Sequence, residues 1–164
     1  MFYRRNWIVV IIGILGLILS VPVAQAQRQE VDIVCCYSST TNVVHFSPEA
    51  SVMSHEGKAI FQSRHENKVF DNFTSHFVGT VKRVSDKWMA HTLCKHMGPD
   101  GDFMLWETTA DSESGMTSKP IYGTGKWKGI KGETKGKRIT AGKPIVEGTV
   151  QACERWVGWI EVPK

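Results

Sequence analysis

The feature that most constrains the fold of this chain is its hydrophobic pattern, which has the period of a β-strand. After residue 26, no long stretch carries apolar residues at the i, i+3, i+4, i+7 spacing of an amphipathic helix. The segment Phe73 to Val84 is rich in aromatic and β-branched residues, and it alternates Phe77 and Val81 on one face with His76 and Thr80 on the other. We therefore expect the chain to bury its apolar side chains in a sheet.

Turn signals divide the residues that follow into further strands. Ser85-Asp86 predicts a tight turn into a strand from Lys87 to Met97. The run Gly98-Pro99-Asp100-Gly101-Asp102 predicts a second turn, because proline fixes one backbone dihedral and glycine accepts a positive one. Phe103 to Thr109 is then predicted to return antiparallel. The remaining predicted segments are a turn or single helical turn at Ser47-Pro48-Glu49-Ala50, a polar loop from Ala110 to Ser118, a glycine-rich basic stretch from Ile121 to Lys128, and two closing strands, Ile145 to Cys153 and Trp156 to Val162.

The number of strands and the chain length indicate one all-β domain. Six to eight short strands suit a closed antiparallel barrel or a sandwich, and closure removes the sheet edges that would otherwise promote aggregation. The interior of an eight-stranded barrel holds packed side chains or one small ligand. A barrel would therefore place a functional site inside it.

The first twenty-six residues have the organisation of an export signal. Arg4 and Arg5 precede an uncharged apolar run from Ile8 to Leu19, and Ala24 and Ala26 supply the small residues that signal peptidase requires. We predict cleavage after Ala26, leaving a mature domain over residues 27–164 that is periplasmic or secreted. The alternative is an N-terminal anchor that is retained.

All four cysteines lie in the predicted mature domain, and an exported chain meets conditions that allow disulfides. The four are Cys35, Cys36, Cys94 and Cys153. A bond between the adjacent Cys35 and Cys36 would be strained. The favoured candidates are Cys94 with Cys153, or one of the adjacent pair with either of them.

Several short motifs resemble those of the allene oxide cyclase and dirigent barrel superfamily. They are Phe70-Asp71-Asn72, Val78-Gly79, Asp100-Gly101-Asp102 and the glycine run from Gly123 to Gly132. The resemblance implies a calycin-like barrel of about eight strands with a central cavity. It carries over no catalytic residue. The spacing in the glycine run, G-x-G-x-x-x-G with no helical pattern after it, also differs from the dinucleotide fingerprint.

The supply of aromatic residues suggests that such a cavity would accept a small apolar ligand. The candidate ligand-binding residues are Trp88, Met89, Trp106, Glu107, Trp156 and Trp159. Glu107 and Glu147 are candidates for a carboxylate inside the barrel, where a raised pKa would suit acid–base chemistry. A cavity-based isomerase or cyclase is therefore the alternative to a binding protein. No catalytic residue, metal site or cofactor is predicted, because no nucleophile–base pattern or metal-ligand spacing is evident.

One segment has a strong charge asymmetry. Without Arg4 and Arg5, 18 basic side chains face 16 acidic ones, a net charge of +2 that provides no global attraction to nucleic acid. Between residues 126 and 138 basic side chains nevertheless dominate, and an aromatic residue lies among them. This predicted anionic-surface patch consists of Lys126, Trp127, Lys128, Lys131, Lys135, Lys137 and Arg138. A structural role at an anionic envelope surface is a further alternative.

Overall fold

The structure, a computed structural model, describes residues 27–66 and 68–163. They form a closed barrel of eight antiparallel strands in sequence order, with β8 pairing back onto β1. The strands are β1 Gln27–Ser47, β2 Ala50–Ser63, β3 Thr74–Val84, β4 Lys87–Met97, β5 Phe103–Asp111, β6 Gly115–Gly123, β7 Lys131–Ala141 and β8 Thr149–Val162, with one 3-10 turn, Gly125–Trp127. The predicted all-β closed barrel is confirmed. The proposed signal segment lies outside the described residues, and no helix within them is long and apolar enough to cross a membrane.

The central part of the sequence interpretation agrees with the strands, whereas the later segments needed tertiary information. The strands around Ser85-Asp86 and Gly98 to Asp102 lie as predicted, and residues 48–49 form a turn. The predicted polar loop is wrong in part, because Gly115 to Ser118 begin β6. The two closing strands are also wrong, since Thr149 to Val162 form one continuous strand and Ile145 lies in the loop before it.

The two ends of the barrel differ. The four hairpins that join β1–β2, β3–β4, β5–β6 and β7–β8 all lie at one end, because antiparallel neighbours reverse direction at each connection. The opposite end is filled by side chains from the longer connections. Phe70 stacks on Trp127 with ring centroids 6.1 Å apart, and Phe73 meets both rings edge-on. This aromatic floor closes one end of the barrel.

The glycine run is explained by close packing at that closed end. A Cβ atom at Gly123 would lie 2.2 Å from the carbonyl oxygen of Trp127, and one at Gly125 would meet the Asp102 carboxylate. Gly125 also has a φ of +47°, which side-chain-bearing residues rarely adopt. These glycines let the 3-10 turn fold inward and carry Trp127 into the core.

Candidate functional site

A cavity of about 300 Å³ occupies the barrel between the hairpin end and the aromatic floor. Its wall consists of the inward-facing residues, which alternate along every strand. On β1, for example, Val31, Ile33, Cys35, Tyr37 and Ser39 line it. The volume lies at the lower end of the range for small-molecule sites. The interior is therefore partly hollow, and apolar side chains form most of its wall near the aromatic floor.

One charged group of side chains lies inside this mostly apolar wall. The Tyr37 hydroxyl donates to Oε1 of Glu154 at 3.2 Å, and Nη2 of Arg138 donates to the Tyr37 hydroxyl at 3.1 Å and lies 3.4 Å from the same Glu154 oxygen. The side chain of Glu154 is only 11% exposed. We call Tyr37, Arg138 and Glu154 the polar triad.

The Tyr37 hydroxyl keeps its proton at neutral pH. Burial, with a smaller contribution from the Glu154 carboxylate, raises the pKa of Tyr37 to about 12. Tyr37 therefore remains a neutral donor. Arg138 supplies the positive charge that compensates the buried carboxylate, and its partly exposed guanidinium retains N–H groups that can face a ligand.

Other polar side chains of the cavity are paired with one another. His96 Nδ1 lies 2.9 Å from Ser75 Oγ, His55 Nε2 lies 3.0 Å from Thr92 Oγ1, and the Thr108 and Ser118 hydroxyls are 2.8 Å apart. Burial lowers the pKa of His96 to about 3, so this ring is neutral at physiological pH. These pairs allow polar side chains to line a cavity without carrying charge.

Trp106 is an exception to this pairing. It is 4% exposed and lines the cavity, and within the described part of the chain its indole N–H has no hydrogen-bond partner. A buried donor without a partner costs about 1–3 kcal/mol.

The cysteines divide between the two faces of the barrel wall. Cys36 and Cys153 are cross-strand partners on β1 and β8 and form the disulfide, with Cα atoms 4.0 Å apart. Pairing of one adjacent cysteine with Cys153 is thus confirmed, whereas Cys94 as its partner is wrong, because Cys94 faces the cavity. Burial raises the pKa of the free Cys35 and Cys94 thiols, that of Cys94 to about 11, so both remain protonated.

Three of the six predicted ligand-binding residues line the cavity: Trp88, Trp106 and Trp156. The other three lie on the outer face, and their expected placement in the cavity is corrected. Met89 is 58% exposed, the Glu107 carboxylate lies 2.7 Å from Nε2 of His91, and Arg28 lies 4.3 Å above the Trp159 ring. Their neighbours along each strand face inward, so alternation directs these side chains outward.

The carboxylate inside the barrel is Glu154, which sequence reasoning missed. Glu107 lies outside the barrel, and Glu147 is exposed in the loop before β8. Glu154 and Tyr37 lie on the two closing strands at inward-facing positions. The alternation from Val31 to Ser39 on β1 was the available signal for Tyr37.

The predicted anionic-surface patch does not form one surface. Lys126, Lys128, Lys131, Lys135 and Lys137 are exposed. Trp127 is 4% exposed within the aromatic floor, so its expected role as a surface aromatic is wrong. Arg138 lines the cavity as a member of the polar triad. What remains on the outer face of β7 is a stripe of three lysines, Lys131, Lys135 and Lys137, which we call the basic stripe.

Comparison with known proteins identifies the fold. No protein-family model and no curated protein sequence matches this chain. The solved structure of the pterocarpan synthase dirigent protein GePTS1 matches with a TM-score of 0.54 at 10% identity, over 88% of this chain and 94% of that one. The pterocarpan synthase dirigent protein PsPTS1 matches with a TM-score of 0.51 at 11% identity, over 85% and 99%. The predicted resemblance is therefore confirmed as a likeness of fold to the dirigent proteins.

Proposed function

We propose that this protein is exported and binds a small, largely apolar molecule with a polar head in the barrel cavity. The observation that carries the proposal is the open volume of about 300 Å³ between apolar side chains and the polar triad. Apolar walls with a few convergent polar groups are characteristic of small-molecule sites. The solved neighbours are named for a synthase reaction, but that activity is not transferred at 10–11% identity.

The wall specifies the chemistry of the ligand. Apolar contacts from Val31, Ile33 and Trp156 suit a hydrophobic body. The Arg138 guanidinium donates, so the head should carry a hydrogen-bond acceptor such as a carbonyl, carboxylate or phenolate oxygen.

The test is native mass spectrometry of protein expressed from the full-length chain and recovered without denaturation. A retained small molecule is expected, and an intact mass that begins at Gln27 would verify the proposed export and cleavage. The variant Ala90→Trp, which fills the cavity from β4, should lose the adduct. Thr80→Trp, on the outer face of β3, is the control. Equal adducts in both variants would place the molecule outside the cavity, and no adduct from any source would oppose the proposal.

A second candidate, a proton-transferring isomerase or cyclase in the same cavity, is favoured by one observation. The Tyr37 hydroxyl and the Glu154 carboxylate form a donor–acceptor pair beside open volume. Once a ligand is identified, Glu154→Gln should separate the two functions. Unchanged binding with lost conversion would indicate catalysis, and the absence of conversion by the unmodified protein would indicate binding alone.

A further inference from the structure

More than half of the exposed large apolar side chains among the described residues lie at one end of this barrel. Of the sixteen exposed large hydrophobic residues among those described, nine lie in residues 43–53, 81–90 and 139–150. These ranges form the tips of three of the four hairpins at the end opposite the aromatic floor, which we call the mouth. The nine are Val43, Val44, Phe46, Val84, Trp88, Met89, Ile139, Ile145 and Val146. Ile145 is 91% and Phe46 71% exposed. We call these nine residues the apolar rim.

The apolar rim is continuous with the cavity. Trp88 belongs to both, because it lines the cavity and is still 38% exposed at the mouth. The three hairpins are adjacent around the barrel, since β8 pairs with β1 and β2 pairs with β3. The fourth hairpin, between β5 and β6, carries Asp111 and Glu113 and has no exposed large apolar residue. The exposed apolar surface is therefore an arc on one side of the opening.

The charges of this arc suit the headgroup layer of a lipid bilayer. Four basic side chains, Lys82, Arg83, Lys87 and Lys143, accompany three acidic ones, Glu49, Asp86 and Glu147, in the same ranges. Lys87 is ion-paired with Glu113 of the β5–β6 hairpin, so Lys82, Arg83 and Lys143 are the basic side chains available to a headgroup layer. Lysine and arginine next to apolar tips can extend to lipid phosphates while their neighbours enter the hydrocarbon. The acidic hairpin adjoins the β3–β4 end of the arc, where Glu113 pairs with Lys87 at 3.2 Å. The arc is close to neutral, so its binding should depend on apolar burial and little on salt.

The shape of the apolar rim favours lipid over a protein partner. Exposed apolar clusters mark interaction sites in general. Three separate hairpin tips offer convex projections, whereas a protein interface requires closely packed, complementary surfaces. A fluid bilayer accommodates such projections without shape complementarity. We propose that the apolar rim inserts into a lipid bilayer surface and holds the cavity mouth against it.

The proposal also defines an orientation. β1 begins at Gln27 near the closed end, so residues 1–26 join the barrel at the end away from the mouth. Docking by the rim therefore requires that the chain is free of an N-terminal anchor at the opposite end. Docking does not depend on a bound ligand, so it can be tested separately from the proposed function.

Co-flotation with phosphatidylcholine vesicles tests the proposal, using protein expressed from the full-length chain. Phe46→Ser and Ile145→Ser should each weaken partitioning about tenfold or more, because each removes a large apolar side chain from the lipid. Ile60→Ser and Ile121→Ser are matched controls, since these residues are 57% and 54% exposed on the barrel wall. The controls should partition like the unmodified protein. Circular dichroism of all four variants would verify that the barrel is folded.

Three results would overturn the proposal. The first is equal partitioning of rim and wall variants, or no partitioning of the unmodified protein. The second is binding that requires phosphatidylglycerol in the vesicles and weakens steeply between 50 and 500 mM salt. Such binding would assign the contact to the basic stripe. The third is a dimer in sedimentation experiments that Phe46→Ser dissociates without any change in vesicle binding, which would identify the rim as a contact between copies of this chain.

Discussion

The disulfide between Cys36 and Cys153 joins residues 117 positions apart across the closing pair of strands. Its removal by the double substitution Cys36→Ser and Cys153→Ser frees the unfolded chain from a large loop constraint. A loop of this length corresponds to about 16 cal/mol/K of conformational entropy, or about 5 kcal/mol at 25 °C. We therefore expect the free energy of unfolding to fall by up to about 5 kcal/mol, a large share of the 5–15 kcal/mol that stabilises typical domains.

Guanidinium denaturation followed by tryptophan fluorescence measures this effect, and the melting temperature should fall by roughly 15 °C. The control is Ser38→Ala with Gln151→Ala, a cross-strand pair on the same two strands without a covalent bond. It should change stability by less than about 1 kcal/mol. A loss below about 1 kcal/mol in the cysteine variant, or a free-thiol assay that finds four thiols in the unmodified oxidised protein, would refute the reasoning.

Three further predictions concern the interior and the closed end. The pKa of His96 is about 3 in the barrel and about 6.5 in the unfolded chain, so stability is lost as pH falls through 6.5. Between pH 7.5 and 5 the free energy of unfolding of the unmodified protein should fall by about 2 kcal/mol more than that of His96→Gln. Identical pH profiles of the two proteins in chemical denaturation would contradict this. Trp127→Ala should lower the free energy of unfolding by about 3–5 kcal/mol because the side chain is buried in the aromatic floor. Lys128→Ala should change that free energy by less than about 0.5 kcal/mol, and equal losses in the two variants would place Trp127 at the surface. Gly123→Ala should destabilise by several-fold more than Gly142→Ala, whose added Cβ meets nothing closer than 3.8 Å, and comparable thermal shifts would refute the packing argument.

Local pattern was sufficient for the hairpins in the middle of the chain. The alternation of Phe77 and Val81 with His76 and Thr80 correctly separates inward from outward residues on β3. The turn at Gly98 to Asp102 also lies where proline, aspartate and glycine predict it. These features depend on neighbours within a few residues, so the sequence contains their full physical cause.

Alternation failed where apolar residues are consecutive. Trp88 and Met89 are both apolar, and hydrophobicity alone cannot decide which one enters the cavity. The β4 register against β3 decides it, and β3 orients Val81 toward the same interior. In the same way, one position separates Lys137 on the outer face from Arg138 in the polar triad. A shift of one residue exchanges the two faces of a strand, so this choice belongs to the pairing of strands.

The sequence by itself determined the period of the strands, the turns between the central ones, the all-β class and a set of cysteines suited to disulfide formation. Tertiary structure alone decided that Cys36 pairs with Cys153, that Trp127 closes the floor and that Tyr37, Arg138 and Glu154 meet in one cavity. Strand period and turn chemistry act between near neighbours along the chain. Tyr37 and Glu154 are 117 residues apart and meet only because β8 closes onto β1.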